Sequence, residues 1–243
     1  MTQTLFFGSK EIKFSLLYAE RKTLGITVTS DMKVSVKAPV GTTLEKIIGK
    51  VRKKAPWIIR QQNFFLSFHP KTPARKFKGG ETHLYLGRQY RLLIENVQFK
   101  NGNKNIEEIK LNGKFLIVKT KNKSPENIKY IMSAWYRKNA KQKFQEISDP
   151  IIKNFIRRHK LSNTNYPLLI REMPTRWGSC TPKGKIILNP ELIKAPKRCI
   201  EYVIIHELCH LIHPDHTQKF IDLQTKEMSD WKKWKMKLEK VLA

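Results

Sequence analysis

Residues 202–216 read YVIIHELCHLIHPDH and contain an HExxH pattern made by His206, Glu207 and His210. The apolar residues around this pattern predict a helix over 200–212. Residues four apart share one face of a helix, so both imidazoles can bind the same metal ion. Glu207 follows the first histidine, where its carboxylate can take a proton from a zinc-bound water that attacks a carbonyl. This stretch therefore predicts a metal site on a helix, with Glu207 as the general base.

A third metal ligand has to come from beyond this helical turn, and the sequence offers two histidines there. Pro214 disfavours helical geometry at His213, so we expect the helix to end at about Ile212 or His213. The chain can then turn back and bring His216 to the metal, which favours His216 over His213. The spacing repeats the HExxHxxGxxH pattern of metzincins, but His213 stands in the place of the glycine. That missing glycine leaves His213 open as the alternative third ligand.

Other side chains near the pattern can contact a metal or its ligands. Asp215 and Asp222 can orient the second nitrogen of a metal-bound histidine, although solvated carboxylates are the simpler interpretation. Cys209 is a soft ligand by type, but its place in the helix favours a small buried residue. The alternative for the whole cluster is a helix whose histidines only form hydrogen bonds. Four of the chain's seven histidines lie between residues 206 and 216, which favours the metal site.

The 243-residue chain carries a formal net charge of +28. A field of this sign attracts polyanions, so nucleic acid or an acidic membrane surface is a reasonable partner. Lysine outnumbers arginine, and isoleucine and asparagine are plentiful, so biased composition is the explanation that we favour. The apolar fraction of 40% is typical of a folded globular protein rather than a disordered one.

Cys180, Cys199 and Cys209 are odd in number and lack the spacing of a disulfide framework. They indicate free thiols in a reducing compartment. The N-terminal MTQTLFFGSK has no apolar signal segment, and no apolar stretch approaches the ~20 residues that span a bilayer. We therefore expect a soluble, cytoplasmic protein, and the oligomeric state stays open.

Residues 1–123 read mainly as strands, because polar and apolar residues alternate there. The predicted strands cover 13–18, 24–28, 33–38, 82–86, 90–95 and 114–119. Between the third and the fourth of these strands, helical spacing of apolar residues predicts a helix over 43–65. Pro56 is expected to break or kink this helix. A basic connector over 69–80 follows it.

Residues 124–243 read mainly as helices. A helix is predicted from its cap at Ser124 to about Ile147. Pro150 is expected to interrupt it, and a second helical stretch follows through Ile156. The remaining predicted elements are strands over 167–173 and 185–188, joined through TRWGSCTPKG, and helices over 200–212, 217–228 and 230–242.

Longer segments of the chain have a recognisable sequence. In the C-terminal half they are PTRWGSC at 174–180, GKIILNPELI at 184–193 and YVIIHELCHLIHPDHTQKF at 202–220. Upstream they are KVSVKAPVGTTLEKI at 33–47, WIIRQ at 57–61 and GGETHLYLGRQYRLLI at 79–94. Together they resemble the YgjP-like metallopeptidase family, a gluzincin-type relative of the SprT-like proteases. The resemblance covers nearly the whole chain.

The predicted elements indicate an α+β fold, in which a β-rich N-terminal region over 1–123 precedes a second region over 124–243. The resemblance implies that this second region is a compact zincin-like domain. It also implies one zinc ion bound by His206, His210 and His216, with Glu207 as the catalytic base.

The segment Arg176-Trp177-Gly178-Ser179 belongs to the family's pattern and is our candidate for the substrate cleft. One interpretation is a strand edge that binds an extended peptide beside the metal. The other is a tight turn that Trp177 packs and Gly178 allows.

We therefore expect a zinc metallopeptidase that hydrolyses peptides or proteins. Arg176 and His213 are candidates for stabilising the oxyanion. One alternative is a metal-dependent hydrolase of nucleotide phosphoanhydrides, although the chain has no glycine-rich phosphate loop. The other is a basic, nucleic-acid-associated protein whose metal site is structural.

Overall fold

The computed structural model of the chain describes residues 2–29, 31–66, 75–96, 107–163, 165–174, 176–181 and 183–242. Within these residues the chain forms eleven strands and five α-helices. The predicted α+β class is therefore confirmed. The predicted connector over 69–80 lies partly outside the described residues, which resume at Arg75. None of the described helices is both long enough and apolar enough to cross a membrane.

The chain divides into two compact units, Met1–Pro73 and Ala74–Leu242. The first unit contains β1 (Thr2–Phe7), β2 (Lys10–Ala19), β3 (Gly25–Val28), β4 (Val34–Pro39) and α1 (Leu44–Leu66). Its strands form a sheet of order β1-β2-β4-β3, in which β2 and β4 are parallel. Apolar residues of α1, among them Val51 and Ile58, are buried in one cluster with Phe14 and Val36 of this sheet. The unit thus has its own hydrophobic core.

The second unit contains two sheets and four α-helices. Its first sheet has the order β5-β6-β8-β7 and is formed by β5 (Thr82–Tyr85), β6 (Arg88–Glu95), β7 (Glu108–Asn112) and β8 (Phe115–Lys119). Its second sheet has the order β10-β11-β9 and is formed by β9 (Leu168–Ile170), β10 (Gly178–Cys180) and β11 (Ile186–Leu188). The helices are α2 (Pro125–His159), α3 (Lys197–Cys209), α4 (Gln218–Glu227) and α5 (Trp231–Leu242), and a 3₁₀ helix covers Pro190–Lys194.

The first sheet of the second unit shares its core with the helices that follow it. Leu92 and Val118 of this sheet are buried in the same cluster as Ile128 of α2 and Val203 of α3. Burial of apolar surface holds these elements in one unit. The compact unit therefore begins at Ala74, upstream of the boundary predicted between residues 123 and 124.

Neither internal proline ends its helix: α1 continues through Pro56, where a break or a kink was predicted, and the interruption predicted at Pro150 is wrong. A proline inside a helix removes one hydrogen bond and costs about 3 kcal/mol. In both helices, however, the turns beyond the proline bury apolar side chains, such as Ile58 in α1 and Phe155 in α2. Burying one such side chain contributes about 1.5–3 kcal/mol, and each helix buries several, so packing outweighs the loss.

Three strands lie outside the ranges in which strands were predicted: β1, β7 and β10. Each is the outer strand of its sheet. An outer strand buries few side chains, and β7 buries none, so the alternation of apolar residues that marks a strand is weak there. Of these, β10 matters most, because it begins inside the candidate cleft segment, for which a strand edge was one of two interpretations.

Candidate active site

Helix α3 carries the HExxH pattern and begins directly after Pro196. It is held by its apolar face, since Ile204 and Leu208 are fully buried. The helix ends at Cys209, slightly before the predicted stop. The N–H groups of Ile212 and His213 then donate to the Cys209 carbonyl, at 3.1 and 2.9 Å, which closes the helix end in a turn.

Three imidazoles converge at this helix end. One ligand nitrogen from each of His206, His210 and His216 lies within 4.8 Å of the others, and the Nε2 atoms of His206 and His216 are 3.1 Å apart. Two zinc ligands at tetrahedral positions, each about 2.0–2.1 Å from the metal, are about 3.3 Å apart. The donor set and its spacing therefore fit a zinc ion. His213, the alternative third ligand, does not belong to this group of described residues.

The two helical histidines are oriented through their Nδ1 atoms. His210 Nδ1 lies 3.3 Å from the backbone carbonyl of His213, which can only accept, so Nδ1 of His210 carries the proton. His206 Nδ1 lies 3.1 Å from Oε1 of Gln224, on α4. With both Nδ1 atoms acting as donors, the Nε2 lone pairs are free for a metal. Asp222, considered for this role, accepts instead from Gln218.

Glu207 is buried beside the histidines, with 6% of its surface exposed. Burial raises the pKa of Glu207 to about 7, although the Cys180 N–H and the Arg176 charge oppose this effect. Gly178 of β10 lies directly against this carboxylate. A Cβ at position 178 would be 2.6 Å from Glu207 Oε1 and 2.8 Å from a Val203 methyl group. Only glycine lets β10 approach so closely, and this approach fixes the position of the carboxylate.

An open cavity of about 770 Å³ joins these groups. Its walls include the predicted cleft residues Arg176, Trp177, Gly178 and Ser179 together with the three histidines and Glu207. Gly178 and Ser179 of the cleft segment belong to β10, the outer strand of its sheet, whereas Arg176 and Trp177 precede the strand.

Asn189 holds the cleft segment in place, a role that sequence reasoning missed. This residue is 5% exposed, and its side-chain amide donates to the carbonyls of Met173 and Arg176, at 2.8 and 3.2 Å. Its backbone N–H donates to Trp177 at 2.9 Å. The only sequence signal was an asparagine before proline at the end of a strand, which more often marks a turn.

The profile described as YgjP-like, metallopeptidase domain, matches residues 22–241. The chain belongs to the YgjP-like family. The resemblance seen in the sequence is thereby confirmed. Membership of a metallopeptidase family implies a metal ion, and His206, His210 and His216 form a group that can hold one. No curated protein matches the chain.

In this YgjP-like chain Phe220 packs against the rings of all three histidines. It is fully buried, and its ring centroid lies 5.0, 4.7 and 4.7 Å from those of His206, His210 and His216. Phe220 and Gln224 are four residues apart on α4 and therefore share one face. That i,i+4 spacing just after the last histidine is the signal in the sequence that could have identified both residues.

The remaining residues of the YgjP-like chain that were considered for the oxyanion or the metal occupy different places in the site. Arg176 lines the cavity, and its charge lies close enough to Glu207 to lower the pKa of that carboxyl. Arg176 is therefore still a candidate for contact with an oxyanion or a substrate. His213 supplies its backbone carbonyl to His210. Cys209 is fully buried and does not belong to the group of converging ligand atoms, which agrees with a small buried residue.

Proposed function

We propose that this YgjP-like chain is a zinc-dependent peptidase, with the metal held by His206, His210 and His216 and with Glu207 as the catalytic base. The observation that carries the proposal is the convergence of three imidazole nitrogens beside a buried carboxylate in an open cavity. When bound, a zinc ion in such a site polarises a scissile carbonyl and acidifies water.

Glu207 is placed to act as the general base. In the metal-free protein burial raises the pKa of Glu207 to about 7, and a bound cation would oppose this rise and favour the carboxylate that a base requires. In the proposed reaction Glu207 accepts a proton from the attacking water and returns it to the departing amine. The Cys180 N–H and the close approach of Gly178 hold the carboxylate in place for both transfers.

The outer strand β10 offers a place for an extended peptide. Thr181 N–H donates to Lys185, and Asn189 N–H donates to Trp177, so these residues form the hydrogen-bonded pairs that flank the β10–β11 ladder. Because such pairs alternate along an antiparallel ladder, Gly178 and Cys180 direct their backbone groups away from β11. The Cys180 N–H already donates to Glu207. We therefore propose that a peptide pairs with the backbone groups of Gly178 and the carbonyl of Cys180, which places its backbone beside the histidines.

The experiment compares the wild type with Glu207→Gln. The protein is analysed for zinc and incubated with unfolded protein, with DNA-bound protein and with nucleoside triphosphates. We expect about one zinc per chain in both forms and a fall in peptide hydrolysis by about 10²–10⁴-fold in the variant. Glu201→Gln is the matched control, since Glu201 lies on the same helix and pairs with Arg198 instead.

Two results would overturn this proposal. One is a wild type without metal. The other is equal peptide turnover by wild type and Glu207→Gln. Phosphate release from the nucleotides that depends on Glu207 would support the alternative of a phosphoanhydride hydrolase. Binding of DNA that falls steeply with salt and ignores the substitution would support a nucleic-acid-associated protein.

A further inference from the structure

We propose that Gln224 is a positioning residue that sets the tautomer of His206 and thereby the affinity of the site for zinc. The proposal rests on the proposed function, because it assumes that His206 is a metal ligand. Gln224 does not touch the cavity, so it acts only through the imidazole.

The first observation is the environment of the Gln224 amide. The residue is 1% exposed, and its Oε1 lies 3.1 Å from His206 Nδ1. Its Nε2 is also buried and forms no ordinary hydrogen bond with the described residues, although the amide lies close enough to Tyr202 to oppose the rise that burial causes in the pKa of that side chain. A buried amide is stable only where its polar atoms meet other polar groups. In the fold, the Oε1 atom of this amide lies against the Nδ1 atom of His206.

The second observation concerns the alternative orientation of the same amide. If the amide were reversed, its NH₂ group would donate to Nδ1 of His206, and the ring proton would move to Nε2. Nε2 would then have no lone pair for a metal. In metal-free protein that proton would be within hydrogen-bond distance of His216 Nε2, 3.1 Å away, so the Gln224 amide is the group that opposes this tautomer. The orientation with Oε1 toward His206 is therefore the one that leaves His206 ready to bind zinc.

The third observation is the support behind Gln224. One turn earlier on α4, the fully buried Phe220 packs against all three histidine rings. The same helix face thus fixes the position of the rings and the proton on one of them. His216 is exposed, so water can satisfy its own Nδ1, whereas His206 depends on a partner from the protein.

The experiment uses the full chain with three substitutions. Gln224→Met keeps the length of the side chain and removes the acceptor, while Gln224→Glu keeps an acceptor and removes the amide donor. Gln218→Met makes the same chemical change at an exposed position of α4. The measurements are the zinc dissociation constant, by competition with a chelator, and the ¹⁵N chemical shifts of the His206 ring in metal-free protein, which report its tautomer.

We expect Gln224→Met to weaken zinc binding by about 10–100-fold, the usual effect of losing such a partner, and to give a mixture of His206 tautomers. Gln224→Glu should keep the Nδ1–H tautomer and bind zinc at least as tightly as the wild type. Gln218→Met should match the wild type. This pattern separates orientation of the imidazole from a packing effect, which would weaken binding in both Gln224 variants.

Different failures have different meanings. If the wild type binds zinc and Gln224→Met binds it equally well, the role of Gln224 is wrong and the proposed function stands. A wild type without zinc affinity overturns both. If Gln224→Met does not fold, Gln224→Glu decides: weaker zinc binding or a changed His206 tautomer in this variant overturns the proposal.

Discussion

Two histidines of the second unit, the half-buried His206 and the buried His83, look alike in their acid–base chemistry. Burial is the main cause that lowers the pKa of each to about 4. A glutamate accompanies each of them, Glu207 next to His206 in sequence and Glu81 within 3.6 Å of His83. By their titration alone, the two regions are equally good candidates for a functional site.

The surroundings of the two histidines separate them. At His206 the Nδ1 atom meets Gln224, and the Nε2 atom meets the nitrogens of two further histidines. At His83 the Nε2 atom is buried without a hydrogen-bond partner among the described residues.

The two glutamates also titrate in opposite directions. Burial raises the pKa of Glu207 to about 7. Burial acts in the same direction on Glu81, but the backbone N–H groups of Lys76 and Phe77, with the help of His83, outweigh it and lower the pKa. Glu81 therefore remains charged, and its carboxylate accepts from the backbone N–H groups of Lys76 and Phe77. A lowered histidine pKa reports burial, and only the convergence of free lone pairs indicates a metal site.

The largest effect that we expect separates the two regions by metal content. His216→Ala removes an exposed side chain that we propose as a ligand, without opening the core, so zinc binding should weaken by more than the roughly 10–100-fold that loss of an orienting partner causes. His83→Gln should keep the zinc of the wild type. Elemental analysis after dialysis against a chelator measures both. Equal zinc content in His216→Ala and His83→Gln would show that the histidine group around His206 is not the zinc site.

The next effect concerns the raised pKa and fixed position of Glu207. Gly178→Ala places a methyl group 2.6 Å from the Glu207 carboxylate and must displace it. A displacement of about 1 Å can lower kcat/KM by about 10²-fold, while zinc content stays unchanged. Gly79→Ala is the control, because a Cβ there meets nothing within 4 Å. Full peptidase activity in Gly178→Ala would mean that β10 does not position the base.

The smallest effect tests His83 as a purely structural group. Its pKa of about 4 lies below the ordinary 6.5, so the folded state favours the neutral ring. Between pH 4 and pH 6.5 the His83 ring binds more protons in the unfolded chain than in the folded protein. The contribution of neutral His83 to the free energy of unfolding is therefore present above pH 6.5 and is lost as the pH falls toward 4. From pH 7 to pH 5 this loss is about 2 kcal/mol. The nearby charges are those of Arg75, Glu81 and Lys194.

Urea unfolding of the wild type and of His83→Gln at the two pH values measures this contribution. The variant should lose less stability than the wild type on acidification, by about the 2 kcal/mol that linkage gives. Because His206 is present in both proteins, its own titration cancels in the comparison. Parallel pH dependence of the two proteins would show that His83 is not buried as a neutral group.

Sequence reasoning recovered the parts of this protein that depend on local spacing. The α+β class, helix α3 and the pairing of His206 with His210 on one helix face follow from patterns within a few turns of chain. The end of α3 near Pro214 follows from the geometry that proline forbids. The preference for His216 over His213 also came from that argument, and the structure places His216 beside the other two histidines.

Tertiary structure decided what depends on distant partners. Both prolines stay inside helices because the turns beyond them are buried, and the chain's composition does not state where those turns will pack. The outer strand β10 forms because β11 pairs with it, and Gly178 matters because Glu207 arrives from α3. Gln224 reaches His206 from another helix, 18 residues away in sequence. Spacing along the chain specifies which side chains share a face, whereas packing specifies which faces meet.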